Sequence, residues 1–170
     1  MIIQTSKKEG TDMFREMARK KQQLPEAECL ELLEQEPRGV LSVLGDEGYP
    51  YGMPINFWYC RESGKLYFHT GKTGHRTDSL KNCDKASFCV YDQGYRKPGE
   101  WALNIRSVIV FGRVRPVEDR EQAIGITRKL SYKYTQDGAY IEEEISKYGS
   151  GVVCWEMTPE HITGKLVNES

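Results

Sequence analysis

Three strand-like runs, at residues 40–44, 51–60 and 66–70, are joined by short polar turns built on Gly45-Asp46-Glu47-Gly48 and Glu62-Ser63-Gly64-Lys65. A parallel connection needs a crossover of about a dozen residues or more. Turns this short commit the first half of the chain to antiparallel hairpins and exclude a doubly wound parallel sheet. Further strands are expected at residues 86–91, 105–117, 152–157 and 161–166, with Gly112 as a bulge or bend in the long one. Successive hairpins followed by two terminal strands can close a small barrel, which removes exposed sheet edges.

Helices fall before and late within this pattern. Pro25 suits the first helical position, and Glu26 and Glu28 favour the positive end of a helix whose apolar stripe is Ala27, Leu30 and Leu33. Asp119 caps a helix to about residue 134, and a second fits residues 139–147. Residues 12–22 suggest a basic helix, and residues 1–11 read as loose and polar. The organisation expected is an N-terminal extension with helix over residues 1–23, then one domain over residues 24–170, mainly β with flanking α-helices.

With 24 Lys and Arg against 25 Asp and Glu, the net charge is −1. That balance gives no electrostatic reason to expect nucleic acid or an anionic membrane as partner. No run approaches the roughly 18 apolar residues of a membrane span, and the first residues, Met1 to Phe14, hold no apolar stretch long enough to suggest a signal peptide. The five cysteines (Cys29, Cys60, Cys83, Cys89 and Cys154) are scattered without a C-x-x-C pair, so neither a metal site nor a disulfide framework is expected. Reduced thiols fit a cytoplasmic protein. Cys60, Cys89 and Cys154 lie in strand-like runs and read as small core residues.

The chemistry concentrates in Leu66-Tyr-Phe-His-Thr-Gly-Lys-Thr-Gly-His-Arg76. An alternating strand runs into a loop carrying Lys72, Thr73, His75 and Arg76 between and after two glycines that let backbone approach a ligand. Asp78-Ser79-Leu80-Lys81 then suits a short helix whose N-terminal amides face the same space. Strand, cationic glycine loop and helix start form a phosphate cradle; Gly-Lys-Thr-Gly also makes a solvated turn. The segment lacks both the Walker A ending and the third glycine of a dinucleotide fingerprint.

Five segments in order, Arg38-Gly-Val-Leu-Ser-Val-Leu, Gly52-Met-Pro-Ile-Asn-Phe, Leu66-Tyr-Phe-His, Gly74-His-Arg and Arg106-Ser-Val-Ile-Val-Phe-Gly-Arg113, resemble the pyridoxamine 5'-phosphate oxidase-like FMN-binding split barrels. Among these the chain is most similar to the branch containing the nitroimidazole-resistance (Nim) proteins, over about residues 24–165. The resemblance implies a homodimer of six-stranded antiparallel split barrels with FMN, or FAD, at the subunit interface. Met53, Pro54, Ile55 and Asn56 would run along the isoalloxazine, His69 and Thr70 beside the ring and ribityl chain. Lys72, Thr73, His75 and Arg76 would hold the phosphate, and Ser107 would reach the flavin from the long strand. The C-terminal Thr163-Gly-Lys-Leu-Val-Asn-Glu-Ser170 departs from the Trp-x-x-x-Arg-Leu segment of the oxidase itself, which argues against pyridoxine phosphate as substrate.

His69 stands out for catalysis, since an imidazole gives or takes a proton near neutral pH; a histidine hydrogen-bonded in the barrel wall is the alternative. His75 fits a phosphate or ribityl contact, and His161 a surface position. The resemblance thus implies an oxidoreductase passing electrons from NAD(P)H or another donor to a small electrophile such as a nitroaromatic. The alternatives are a flavin carrier or sensor without turnover, or a haem or deazaflavin binder on the same fold. Trp101 is expected near the substrate mouth, and Trp58, Tyr59 and Trp155 in the core or a dimer interface.

Overall fold

The computed structural model describes residues 14–169. Its elements are α1 (Glu26–Gln35), β1 (Arg38–Leu44), β2 (Pro50–Asn56), β3 (Trp58–Cys60), β4 (Lys65–Gly71), α2 (His75–Asn82), β5 (Lys85–Tyr91), β6 (Leu103–Pro116), α3 (Arg120–Tyr132), α4 (Gly138–Tyr148) and β7 (Val152–Glu169). All strands pair antiparallel in one sheet of order β2-β1-β5-β6-β7-β4-β3. The sheet curls into a split barrel.

The curl is driven by the apolar alternation within each strand. Leu41 and Val43 on β1, Met53 and Ile55 on β2, Phe68 on β4, Phe88 and Val90 on β5, and Val108 and Val110 on β6 all turn inward and are buried. Phe88 packs edge-on against both Phe57 (centroids 4.7 Å apart) and Phe68 (5.3 Å). Each such ring contributes about 1.5–3 kcal/mol by leaving water. Helix α1 contacts β3, β5, β6 and β7, and so closes the concave side. Its Cys29, Leu32 and Leu33 join the same core cluster.

Four expectations are corrected. The return strand at residues 51–60 is interrupted: Phe57 donates its amide to the Tyr134 hydroxyl at 2.8 Å, and that hydroxyl donates to the Pro37 carbonyl. A side chain from beyond α3 replaces the ladder partner there, which divides the strand into β2 and β3 and makes seven strands rather than six. The two terminal strands are instead one, β7, because β6 is long enough to pair with its whole length. The irregularity lies at Gly112 as expected: Phe111 pairs with His161 but Gly112 with Pro159, leaving Glu160 as the extra residue. A Cβ on Gly112 would sit 2.3 Å from the Thr158 carbonyl oxygen, so backbone approaches backbone closely.

The basic helix expected at residues 12–22 is absent among the described residues of that stretch, where Lys20–Gln22 form a single 3-10 turn with nothing buried. Without an apolar stripe to pack, nothing offsets the cost of nucleating a helix. Residues 1–11, read as loose and polar, lie outside the described residues. Finally, Cys154 is buried but Cys60 and Cys89 are only half-buried. Helices α3 and α4 start at Asp119 and Asp137, whose carboxylates accept from the amides of Gln122 (2.7 Å) and Tyr140 (3.0 Å). No helix among the described residues is long and apolar enough to cross a membrane.

Candidate functional site

Strand β4 places alternate residues on opposite faces, and this parity divides the expected site residues. Leu66, Phe68 and Thr70 turn into the core, while Tyr67 and His69 face outward toward α3. Thr70 is thereby consumed by structure: its Oγ1 accepts from Trp155 Nε1 and donates to the Gly71 carbonyl, both at 2.9 Å. A ligand can reach Thr70 only through its backbone. Trp155 and Tyr59 are likewise buried core residues, while Trp58 stacks on Tyr67 at 5.3 Å.

Helix α2 begins earlier than the sequence suggested, so His75 and Arg76 occupy its first turn instead of the loop. Gly74 precedes them with φ 120°, a conformation other residues rarely adopt, and no side chain caps the helix. The amides of the first turn are therefore open to a ligand. Thr77, on the same helix, donates its hydroxyl to the Gly71 carbonyl at 3.3 Å and ties helix to strand end. Lys72 and Thr73 project exposed between them.

Arg76 is half-buried. Its Nε is sealed from solvent and has no hydrogen-bond partner, and neither does the buried Oγ of Ser79, three residues on along the same helix face. Leaving such groups unpaired costs about 1–3 kcal/mol each. No ion pair engages Lys72 or Arg76 among the described residues. An anion at this helix start would meet the open amides and the guanidinium of Arg76 together. His75 is less free: its ring stacks on Tyr51 at 4.1 Å, and its Nε2 lies 3.5 Å from the Asp46 carboxylate.

Past His69 opens a cavity of about 580 Å³ between the outer face of β4 and β7 and the helices α3 and α4. Ile124, Leu130, Ile141, Ile145 and Val152 give it apolar walls. Asn56 and His69 border it on the sheet side, and Tyr134, Tyr140, Glu144 and Tyr148 on the helix side. His69 is open to this space, yet the surrounding protein pushes its imidazole below the usual histidine range, aided by the positive charge of Arg76. Burial drives the thiol of Cys154, its cross-strand neighbour, up to about 12. At neutral pH His69 is therefore an uncharged imidazole able to donate or accept, and Cys154 an inert thiol.

The structure thus places Lys72, Thr73, His75 and Arg76 together between the end of β4 and the start of α2, while Asn56 shares the cavity lining with His69. It does not bring in the side chains of Met53 and Ile55, which are buried in the core. Both lie on β2, an edge strand with backbone groups free along one side, which explains how Pro50 and Pro54 are tolerated there. Ser107 stands apart on the outer face of β6, opposite Lys165 of β7, eleven residues from the Cys154 that faces His69. Trp101 is 75% exposed and does not line the cavity. The lining of α3 and α4 was missed, although Tyr140, Glu144 and Tyr148 recur at the four-residue spacing of one helix stripe.

Fold and site together define an antiparallel split barrel with an anion-ready helix start at one strand end and an apolar chamber beside it. Residues 25–166 match the family model described as pyridoxamine 5'-phosphate oxidase, and the chain belongs to that family. No curated protein matches it significantly. Among solved structures it is similar to Rv2991 of Mycobacterium tuberculosis (TM-score 0.72, 16% identity, covering 89% of this chain and 90% of that one). It is also similar to a candidate 5-nitroimidazole antibiotic resistance protein of Bacteroides thetaiotaomicron (TM-score 0.70, 19% identity, 85% of each chain). A FAD- and haem-binding protein of Mycobacterium smegmatis gives TM-score 0.68 at 18% identity, covering 85% of this chain and 73% of that one. At these identities the likeness is one of fold.

Proposed function

We propose that this chain is a flavoprotein, binding FMN or FAD with its phosphate at the start of α2, and that it acts as an oxidoreductase toward a small electrophile. The observation that carries this reading is the uncapped helix start behind Gly74, with Lys72 and Arg76 beside it and in no ion pair among the described residues. A flavin phosphate carries nearly two negative charges and three acceptor oxygens, which suits this donor set. Arg76 grips two oxygens at once, and Lys72 adds a movable point charge. The flavin supplies the redox chemistry, with NAD(P)H or another donor providing electrons. His69, held neutral, hydrogen-bonds the acceptor from the sheet side of the chamber. Family membership and the FAD-binding relative support the same cofactor class.

The reading includes a homodimer. Ser107 and His69 lie far apart along one subunit, so a flavin contacting both takes Ser107 from a second copy. The free thiols suit a reducing, cytoplasmic setting.

An absorbance spectrum of freshly purified protein, with mass spectrometry of any released ligand, tests the cofactor. The two visible bands of oxidised flavin are expected, and Arg76→Ala should weaken flavin binding about tenfold or more. A colourless protein that takes up neither FMN nor FAD overturns the proposal. Bleaching by NAD(P)H followed by reoxidation with a nitroaromatic separates an oxidoreductase from a flavin carrier.

A further inference from the structure

The chamber beside His69 carries a chemical bias of its own. Its walls are apolar, but the α4 side presents Tyr140, Glu144 and Tyr148 as one stripe, a carboxylate between two phenol rings. The neighbouring acids on α4 are already engaged, Glu142 by Arg128 and Glu143 by Lys147. Glu144 has no ion pair or side-chain hydrogen bond among the described residues. Of the other charged residues lining the cavity, Glu118 and Arg120 offset each other. The chamber therefore carries an excess of one negative charge, from Glu144, and His69 adds no positive charge at neutral pH.

We infer that the chamber binds a small aromatic molecule carrying a single positive charge, its rings against the isoleucines of α3 and α4 and its cationic end between Tyr140, Glu144 and Tyr148. Tyrosine faces attract a cation through the ring quadrupole, also where, as at Tyr140 and Tyr148, more than half of the residue is exposed. A carboxylate at the same place adds a direct charge pair. A cavity of about 580 Å³ lies within the usual range for small-molecule sites. An anionic ligand meets the unpaired Glu144, while Arg120 is offset by Glu118 and Arg76 lies behind His69, outside the lining. The inference rests on the proposed oxidoreductase only for the chemistry after binding, where His69 faces the bound molecule from the sheet side. Occupancy of the chamber does not require flavin.

Three probes of matched size and different charge decide it: naphthylmethylamine, naphthylmethanol and naphthoate, titrated calorimetrically into the full chain with and without flavin. The amine should bind about tenfold more tightly than the alcohol, with naphthoate weakest. Glu144→Gln should bring the amine down to the level of the alcohol while flavin content and melting temperature stay unchanged. Tyr148→Ala should weaken the amine more than the alcohol. Equal affinities for the three probes, binding of none, or an unaltered preference in Glu144→Gln would overturn the inference. Amine binding by a protein that takes up no flavin would leave the chamber standing and remove the cofactor reading instead.

Discussion

At the scale of single residues, His69 and Lys133 are both held below their ordinary ranges, each with a consequence for stability. Burial and Arg76 depress the His69 imidazole in the folded chain. The unfolded chain keeps an ordinary value near 6.5, so on acidification it takes up the proton first. Stability is then full above about pH 6.5 and falls as pH drops through the folded value. Thermal melts at pH 5 and 7.5 should show this loss, and His69→Asn should reduce it. Lys133 is depressed to about 8, chiefly by burial, with its Nζ 3.8 Å from the centre of the Phe57 ring. The sign is the same: the charged amine costs stability below pH 8, and the cost disappears as pH rises toward about 10.5. Lys133→Met should therefore stabilise the fold at pH 7 by about 1 kcal/mol, the margin left after losing the cation–π contact. That gain should shrink in denaturant titrations repeated at pH 10.

At the scale of elements, the junctions matter more than the strands they join. The Tyr134 hydroxyl satisfies the Phe57 amide, bonds the Pro37 carbonyl, and so ties the C-terminal end of α3 to the break between β2 and β3 and to the end of α1. Tyr134→Phe removes one atom and leaves two backbone groups unpaired. It should cost about 1–3 kcal/mol in chemical denaturation. The contact of Gly112 with Thr158 sets the other junction, where β6 and β7 slip by one residue. Gly112→Ala forces these backbones apart and should cost about 1–3 kcal/mol by the same measurement. A loss below about 0.5 kcal/mol in either variant would mean the junction relaxes freely.

At the scale of the molecule, the outer face of β5 and β6 leaves apolar surface uncovered. Tyr91 is 58% exposed, Ile109 41% and Phe111 40%, with Ser107 on the same face. Aromatic and aliphatic groups of this kind, gathered on one face, are what a subunit interface buries. Sedimentation velocity should report a dimer. Ile109→Glu should shift it toward monomer and lower flavin occupancy in parallel, since Ser107 would no longer reach the partner's cofactor. A monomeric variant retaining full flavin would separate the interface from the site.

The antiparallel pairing of the first strands was legible because turns of a few residues permit nothing else. The cationic segment from His69 to Arg76 was legible because its chemistry is contiguous in the chain. Three features were decided only by tertiary structure. The break at Phe57 depends on a hydroxyl 77 residues away, which no local pattern records. Thr70 is withdrawn from the site by a bond to Trp155, 85 residues on, because strand parity faces it inward. The chamber exists because the α3 and α4 hairpin folds back over β4 and β7, placing Glu144 and its flanking tyrosines across from His69. Local sequence sets which groups a strand or helix presents; only the packing of distant elements sets what those groups meet.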